Sequence, residues 1–278
     1  MTQIFGGDHT IFKLAVLKLY GEAYAAIMQQ VQGLQGVYID AFAGDGEGIT
    51  TNGVNYEGSV SVCLGFKPPF SAFHFIDEKR NNINKLMRLP AASMPNVSIH
   101  QGDANEFLPK IIQSIDWEKN RGLVFIDPFG LQLDWSTLEI ILRDGLIDVW
   151  ILFPVHGVRR QLTNSFEQIT PVSRNRLDQF FGSDAWRKVY QVTPDLFGDN
   201  NLTLSNDVNS NITKIYLQQL RNKASYVSDP IELFDSKNIH QFSLIFAMSN
   251  QSKKAIKLAR RLVSETRQRV KTQFNGGL

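Results

Sequence analysis

The sequence predicts an α/β fold built on a doubly wound, mostly parallel sheet, and three observations carry that prediction. Short apolar runs alternate with stretches of helical periodicity through the first 153 residues. The runs are near-continuously apolar, as in strands covered on both faces by helices. They also end repeatedly in an acid or a glycine turn, which gathers polar groups at one edge of the sheet, where this architecture builds its sites.

In chain order, Asp8 is placed as the N-cap of a helix over residues 8–30, with Ile11, Leu14, Ala15, Leu17 and Leu19 on its apolar face. Gly33 and Gly36 end it before a first strand, Val37 to Ile39, which runs into Asp40 and a glycine turn. Residues 47–58 are expected to form a polar loop, followed by a short helix from Ser59 to Phe66 that Pro68-Pro69 stop. The second strand, Ala72 to Ile76, ends on Asp77, and its helix is expected to begin at Glu78. The third, Val97 to His100, ends at Gly102-Asp103. The fourth, Leu123 to Ile126, ends at Asp127-Pro128-Phe129-Gly130, with a helix from about Ser136, and a fifth covers Ile147 to Phe153.

Residues 156–225 break the rhythm and are read as a helical insertion, with helices around 173–181, 183–191 and 209–222. The apolar runs 231–234 and 242–248, joined by a turn-rich segment, predict an antiparallel C-terminal strand pair. A last helix covers Ser252 to about Thr272, burying Ala255, Leu258, Ala259, Leu262 and Val263. The whole is expected to be a single domain over 1–278.

Composition narrows the functional classes. With 43% hydrophobic residues the chain buries a substantial core, and no apolar run is long enough to span a bilayer. The single cysteine, Cys63, rules out an intrachain disulfide and offers no metal cluster, and the five histidines lack metal-ligand spacing. With no basic-then-apolar leader, these facts lead to the expectation of a reducing, cytoplasmic setting. The net charge of +2 hides an asymmetry: residues 253–271 hold eight Lys and Arg against Glu265 alone, so the rest of the chain is net acidic. That basic helix is read either as a solvated face or as a stripe for nucleic-acid phosphates.

The turn after the first strand has two readings. A dinucleotide fingerprint wants Gly-x-Gly-x-x-Gly and an acid about 20 residues on. Here the spacing is Gly44-x-Gly46-x-Gly48, and the next acid ending an apolar run, Asp77, is too distant. The Asp40-x-Phe42-x-Gly44-x-Gly46 spelling resembles instead the first motif of S-adenosylmethionine (SAM)-dependent methyltransferases. On that reading Asp40, Phe42, Ala43, Gly44 and Gly46 cradle the cofactor, Asp77 holds the ribose hydroxyls, and Asp103 with Ala104 meets the adenine. Asp77 and Asp103 read equally well as helix caps. Asp127-Pro128-Phe129-Gly130 is a favoured type I turn. It also resembles the catalytic tetrapeptide of tRNA guanine-N2 dimethyltransferases. There Asp127 and the Pro128 carbonyl would orient an acceptor amine, Phe129 would stack on an aromatic substrate, and Gly130 would border it. His156, Arg159 and Arg160, just after the fifth strand, are candidates to grip the substrate.

Taken together, Tyr38-Ile39-Asp40-Ala41-Phe42-Ala43-Gly44, Gly58-Ser59, Phe75-Ile76-Asp77, Gly102-Asp103-Ala104, Phe125 to Leu131, Asp134-Trp135-Ser136-Thr137, Phe153-Pro154, Arg159 and Phe246-Ala247 resemble the three-Cys-motif partner proteins of bacteria and phages. Val60 stands where that family usually has Pro, and Asp77 where Glu is commoner. The resemblance implies a Rossmann-like methyltransferase fold, SAM as cofactor and a three-Cys-motif protein as partner. Function is expected to be N-methylation of an amine on a nucleobase or related substrate. A SAM-binding non-catalytic scaffold and a nucleotide-binding regulator are the alternatives.

Overall fold

The computed structural model describes residues 9–49, 55–194, 200–235 and 237–275. Its centre is β1 (Gln35–Asp40), paired in parallel with β4 (Ala72–Asp77) on one side and β6 (Asn120–Ile126) on the other. Beyond β4 lies β5 (Val97–Gln101), and beyond β6 lies β7 (Ile147–Phe153), all parallel. The chain therefore winds outward from β1 one way and then crosses to the other side, which places a topological switch point beside β1.

β12 (His240–Met248) runs antiparallel against β7, and its outer side is covered by β10 (Tyr226–Val227) and β11 (Ile231–Phe234). This is the expected antiparallel C-terminal pair, with β10 added. Five parallel strands in this order, closed by an antiparallel strand, make a Rossmann-like methyltransferase fold.

Strand side chains alternate between two cores. Val37, Ile39, Val124, Ile126, Val149 and Ile151 face α4 (Ala104–Ser114), α5 (Trp135–Leu142) and α8 (Val208–Lys223). Tyr38, Leu123, Phe125, Trp150 and Leu152 face α1 (His9–Gln30), α2 (Ser59–Leu64) and α9 (Lys253–Asn275). The central strands β1, β6 and β7 are buried on both faces, so their sequences lack the polar alternation of a half-exposed strand.

Several boundaries differ from the sequence expectation, each for a physical reason. Asp8 lies outside the described residues. The expected loop over 47–58 holds an antiparallel ribbon, β2 (Glu47–Ile49) with β3 (Asn55–Glu57). Helix α3 (Arg80–Leu86) begins two residues late, because the Asp77 carboxylate accepts the Lys79 N–H at 2.7 Å and holds 78–79 out of the helix. Instead of a helix over 183–191, a 3-10 turn (Asp184–Val189) leads into β8 (Tyr190–Pro194), which pairs with β9 (Asn200–Leu204). The same region carries α6 (Val155–Arg159) and α7 (Pro171–Phe181). Its Leu177, Phe181, Trp186 and Ile212 are fully buried in the core formed by one face of the sheet. Cys63 is buried, as a packed small residue is expected to be.

Candidate functional site

Four strand ends meet at the switch point and enclose a cavity of about 410 Å³. β1 contributes Ala41, Phe42 and Gly44; β4 contributes Asp77, Glu78 and Lys79; β5 leads to Gly102 through Asn105; and β6 leads to Asp127, Phe129 and Gln132. The volume falls within the range of small-molecule sites, and the position is where open α/β sheets bind ligands.

Backbone geometry leaves space where a ligand needs it. Gly44 has φ +66°, and a Cβ built there would meet no atom within 4 Å, so the loop presents bare backbone to open space. At Gly102 the constraint is internal, since a Cβ would lie 2.4 Å from the Phe107 ring. Asp77 Oδ2 accepts the Gly44 N–H at 2.9 Å, while its Oδ1 accepts from Lys79 N and, at 3.0 Å, from Asn82 Nδ2. One carboxylate thus ties the glycine loop to the start of α3. A carboxylate offers about four lone-pair directions, so acceptor capacity toward the cavity is left. Asp103 is the N-cap of α4, accepting from Asn105 N at 2.8 Å, and lines the cavity as well. Capping and ligand contact are therefore compatible at Asp103, whereas Asp77 caps no helix, since α3 starts at Arg80 with Lys79 at its N-cap position.

Not every predicted site residue reaches the cavity. Asp40 is fully buried beneath the loop, with Oδ1 accepting the Phe42 N–H at 3.2 Å. Its Oδ2 is buried without a hydrogen-bond partner. Loss of water pushes its carboxyl up to about 7; the nearby Ser59 hydroxyl, the Phe42 N–H and Lys13 oppose the shift, and Asp127 adds to it. Ala43 is buried beneath the same loop, and Gly46 packs toward Leu86 and Leu89 of the α3 region. Ala104 lines the cavity at the start of α4. Pro128 is buried, and Gly130, at φ +81°, turns the chain behind Phe129. His156, Arg159 and Arg160 line a different depression, with Glu232, Phe234 and His240. They are carried there because α6 packs on the loop after β6: a Cβ on Gly157 would sit 3.5 Å from Gly130 Cα.

At the catalytic candidate, Asp127 Oδ2 accepts from the Lys13 ammonium of α1, and both side chains are largely shielded from water. Phe129 is 86% exposed, its ring under Lys79 Nζ at 5.6 Å. Its backbone N–H donates to Gln132 Oε1 at 2.9 Å. The segment that follows is clamped from two sides. Asn105 donates to the Gln132 carbonyl at 2.8 Å and accepts from Asp134 N at 2.9 Å. Arg176, from α7, donates to the Leu131 and Leu133 carbonyls and pairs with Asp134 at 2.6 Å.

Lys13, Lys79, Asn82, Asn105, Gln132 and Arg176 were not singled out from sequence, and Asp134 was noted only within a motif and not as a site residue. Lys79, Asn105 and Gln132 follow strand ends within a few residues, so proximity to a strand-end motif was an available signal. Lys13 and Arg176 lie on distant helices, and nothing local marks them.

No family model and no curated protein matches the chain. Among solved structures, a Legionella pneumophila protein of the family DUF519 superposes with a TM-score of 0.53 at 12% identity, over 95% of this chain and 93% of that one. A Listeria monocytogenes structure described as a putative SAM-dependent methyltransferase gives 0.38 at 15% identity, over 83% of this chain and 98% of that one. An O-methyltransferase from Bacillus cereus in complex with SAH gives 0.41 at 13%, over 83% and 80%. At 12% identity the likeness to the Legionella protein is one of fold.

Proposed function

We propose that this chain binds SAM in the switch-point cavity and transfers its methyl group to an amine, with a nucleobase the leading acceptor. The observation that carries the proposal is the convergence, in one cavity, of a bare glycine loop, two strand-end acids and the Asp127–Phe129 turn. SAM, when bound, supplies an electrophilic methyl group and a cationic sulfonium, which suits an edge rich in carboxylates. Gly44 and Phe42 would lie along the cofactor, Asp77 would accept from its ribose hydroxyls, and Asp103 with Ala104 would border the adenine. Asp127 would accept an N–H of the amine and point its lone pair at the reacting carbon, and Phe129 offers a free ring face to an aromatic acceptor. Gln132 holds the Phe129 backbone, and Asn105 and Arg176 fix the segment that follows, 131–134.

The resemblance of the motifs supports a three-Cys-motif protein as partner. A second reading, a SAM-binding scaffold that acts only through such a partner, is favoured by one contact: Lys13 already occupies the Asp127 carboxylate that the acceptor amine would need.

Calorimetry with SAM, S-adenosylhomocysteine and NAD tests the cofactor. Binding of the first two and none of NAD is expected; NAD binding alone would overturn the assignment. Mass spectrometry of nucleic acid and protein from cells with and without the gene tests catalysis. Loss of a methylated amine on deletion separates the enzyme from the scaffold.

A further inference from the structure

Outside the switch-point cavity, a basic concave surface lies where α9 meets the edge of the sheet. There α9 lies beside the edge strand, and Tyr226, Val227, Asp229, Arg260, Arg267 and Lys271 help line a groove of about 560 Å³. Arg260, Arg267 and Lys271 are seven and four residues apart. At 3.6 residues per turn such positions fall within about 20° of one line along the helix, and at 1.5 Å per residue they step by about 10 and about 6 Å. None of the three forms an ion pair among the described residues. Arg260 sits over Tyr226, its guanidinium carbon 5.3 Å from the ring centre, and Arg267 donates to the Asp229 carbonyl at 3.1 Å. The acid in the groove, Asp229, faces Arg221 at 3.9 Å.

We infer that this groove binds a strand of single-stranded nucleic acid, its phosphates on Arg260, Arg267 and Lys271 and a base on the Tyr226–Arg260 pair. Cations in a line that form no ion pair among the described residues match a phosphodiester backbone, and an aromatic ring with an arginine over it is a sequence-tolerant place for a base to stack. A membrane surface fits less well. An adsorbing helix needs an apolar face in the lipid, whereas Ala259, Leu262, Val263, Thr266 and Val270 are all buried against the protein. The site is distinct from Lys254, Lys257 and Arg261 of the same basic helix: those are exposed on the outer face of α9, and Arg261 is paired with Glu265 at 3.2 Å. The inference does not depend on SAM binding.

The test is fluorescence anisotropy of labelled single-stranded RNA, single-stranded DNA and duplex against salt, without cofactor. Three phosphate contacts predict a log–log slope near −2 for single strands, about a 20-fold loss between 50 and 200 mM salt. Lys271→Gln should reduce the slope by about 0.7, and Arg260→Gln/Lys271→Gln should weaken binding at least tenfold at fixed salt. Lys254→Gln/Lys257→Gln removes the same charge from the outer face and should change affinity less than threefold. Thermal melting monitors folding, and the Lys271→Gln slope decides the matter if the double variant is unstable. Equal losses in both double variants, an unchanged slope in Lys271→Gln, or tighter binding to phosphatidylserine vesicles than to any oligonucleotide would each overturn the inference. A duplex preferred over single strands would overturn its single-strand form.

Discussion

Asp40 and Asp148 stand at opposite ends of the same sheet, and loss of water pushes the carboxyl of each up to about 7. Their surroundings differ in kind. Asp148, near the amino end of β7, accepts the Tyr20 hydroxyl at 3.0 Å and borders an apolar groove between α1 and α9. Arg121, which also lines this groove, donates its guanidinium to the Trp117 and Asn120 carbonyls. Asp40, at the carboxyl end of β1, lies under a glycine loop and beside Asp127 and Lys13, with Asp77 one strand away. A perturbed carboxyl is therefore no guide to function by itself. What separates the two ends is polarity: parallel strands deliver the turns after β1, β4, β5 and β6, with Asp77, Asp103 and Asp127, to one edge, where they line a single cavity.

The sharpest break between the two ends is catalytic. On the proposed function, Asp127→Ala should cut turnover by about 10²–10⁴-fold while leaving SAM affinity within twofold, because the residue acts on the acceptor. Single-turnover kinetics with titrated SAM reads both quantities. Wild-type methylation in this variant would reduce the tetrapeptide to a turn and leave the scaffold reading.

A smaller effect appears in stability against pH, where the two ends should look alike. A carboxyl raised from 3.8 to about 7 binds more protons in the folded protein than in the unfolded chain between those values. Stability from each group is thus greatest below about pH 4, falls as pH rises through 7, and then levels, a change of at most about 4 kcal/mol. Asp40→Asn and Asp148→Asn should each flatten that fall in thermal melts taken from pH 4 to 8. Only Asp40→Asn should also alter SAM binding; a changed SAM affinity in Asp148→Asn would erase the distinction drawn here.

The smallest expected effect is at Asp77. Asp77→Ala should weaken SAM and S-adenosylhomocysteine by about tenfold, since a lost contact at a shielded polar site costs about 1–3 kcal/mol. Asp77→Asn can still accept at one oxygen and should lose less. If both variants lose equally, the charge rather than hydrogen bonding to ribose is what the site uses.

Much of this protein was legible in its sequence. Strands buried on both faces must be apolar throughout, so β1, β4, β6 and β7 stood out, and the acids and glycines that end them marked the edge that carries the cavity. Asp77, Asp103, Asp127 and Phe129 do share one cavity. The periodic pattern of α9 also identified its buried side, apart from Leu258, which is 36% exposed beside the apolar groove. The ribbon over 47–57 was not legible, because its three-residue strands are set by pairing rather than by local preference.

Local spelling determines what a strand end can offer, because hydrophobic period and turn chemistry act over a few residues. Which distant side chains complete a site is decided by packing across the fold. Only the tertiary structure brings Lys13 to Asp127 across 114 positions and Arg176 to Asp134 across 42, and only it sends His156, Arg159 and Arg160 elsewhere. Those contacts depend on how α1, α6 and α7 dock on the sheet, and a helix's own pattern shows which face it buries without showing where that face will land.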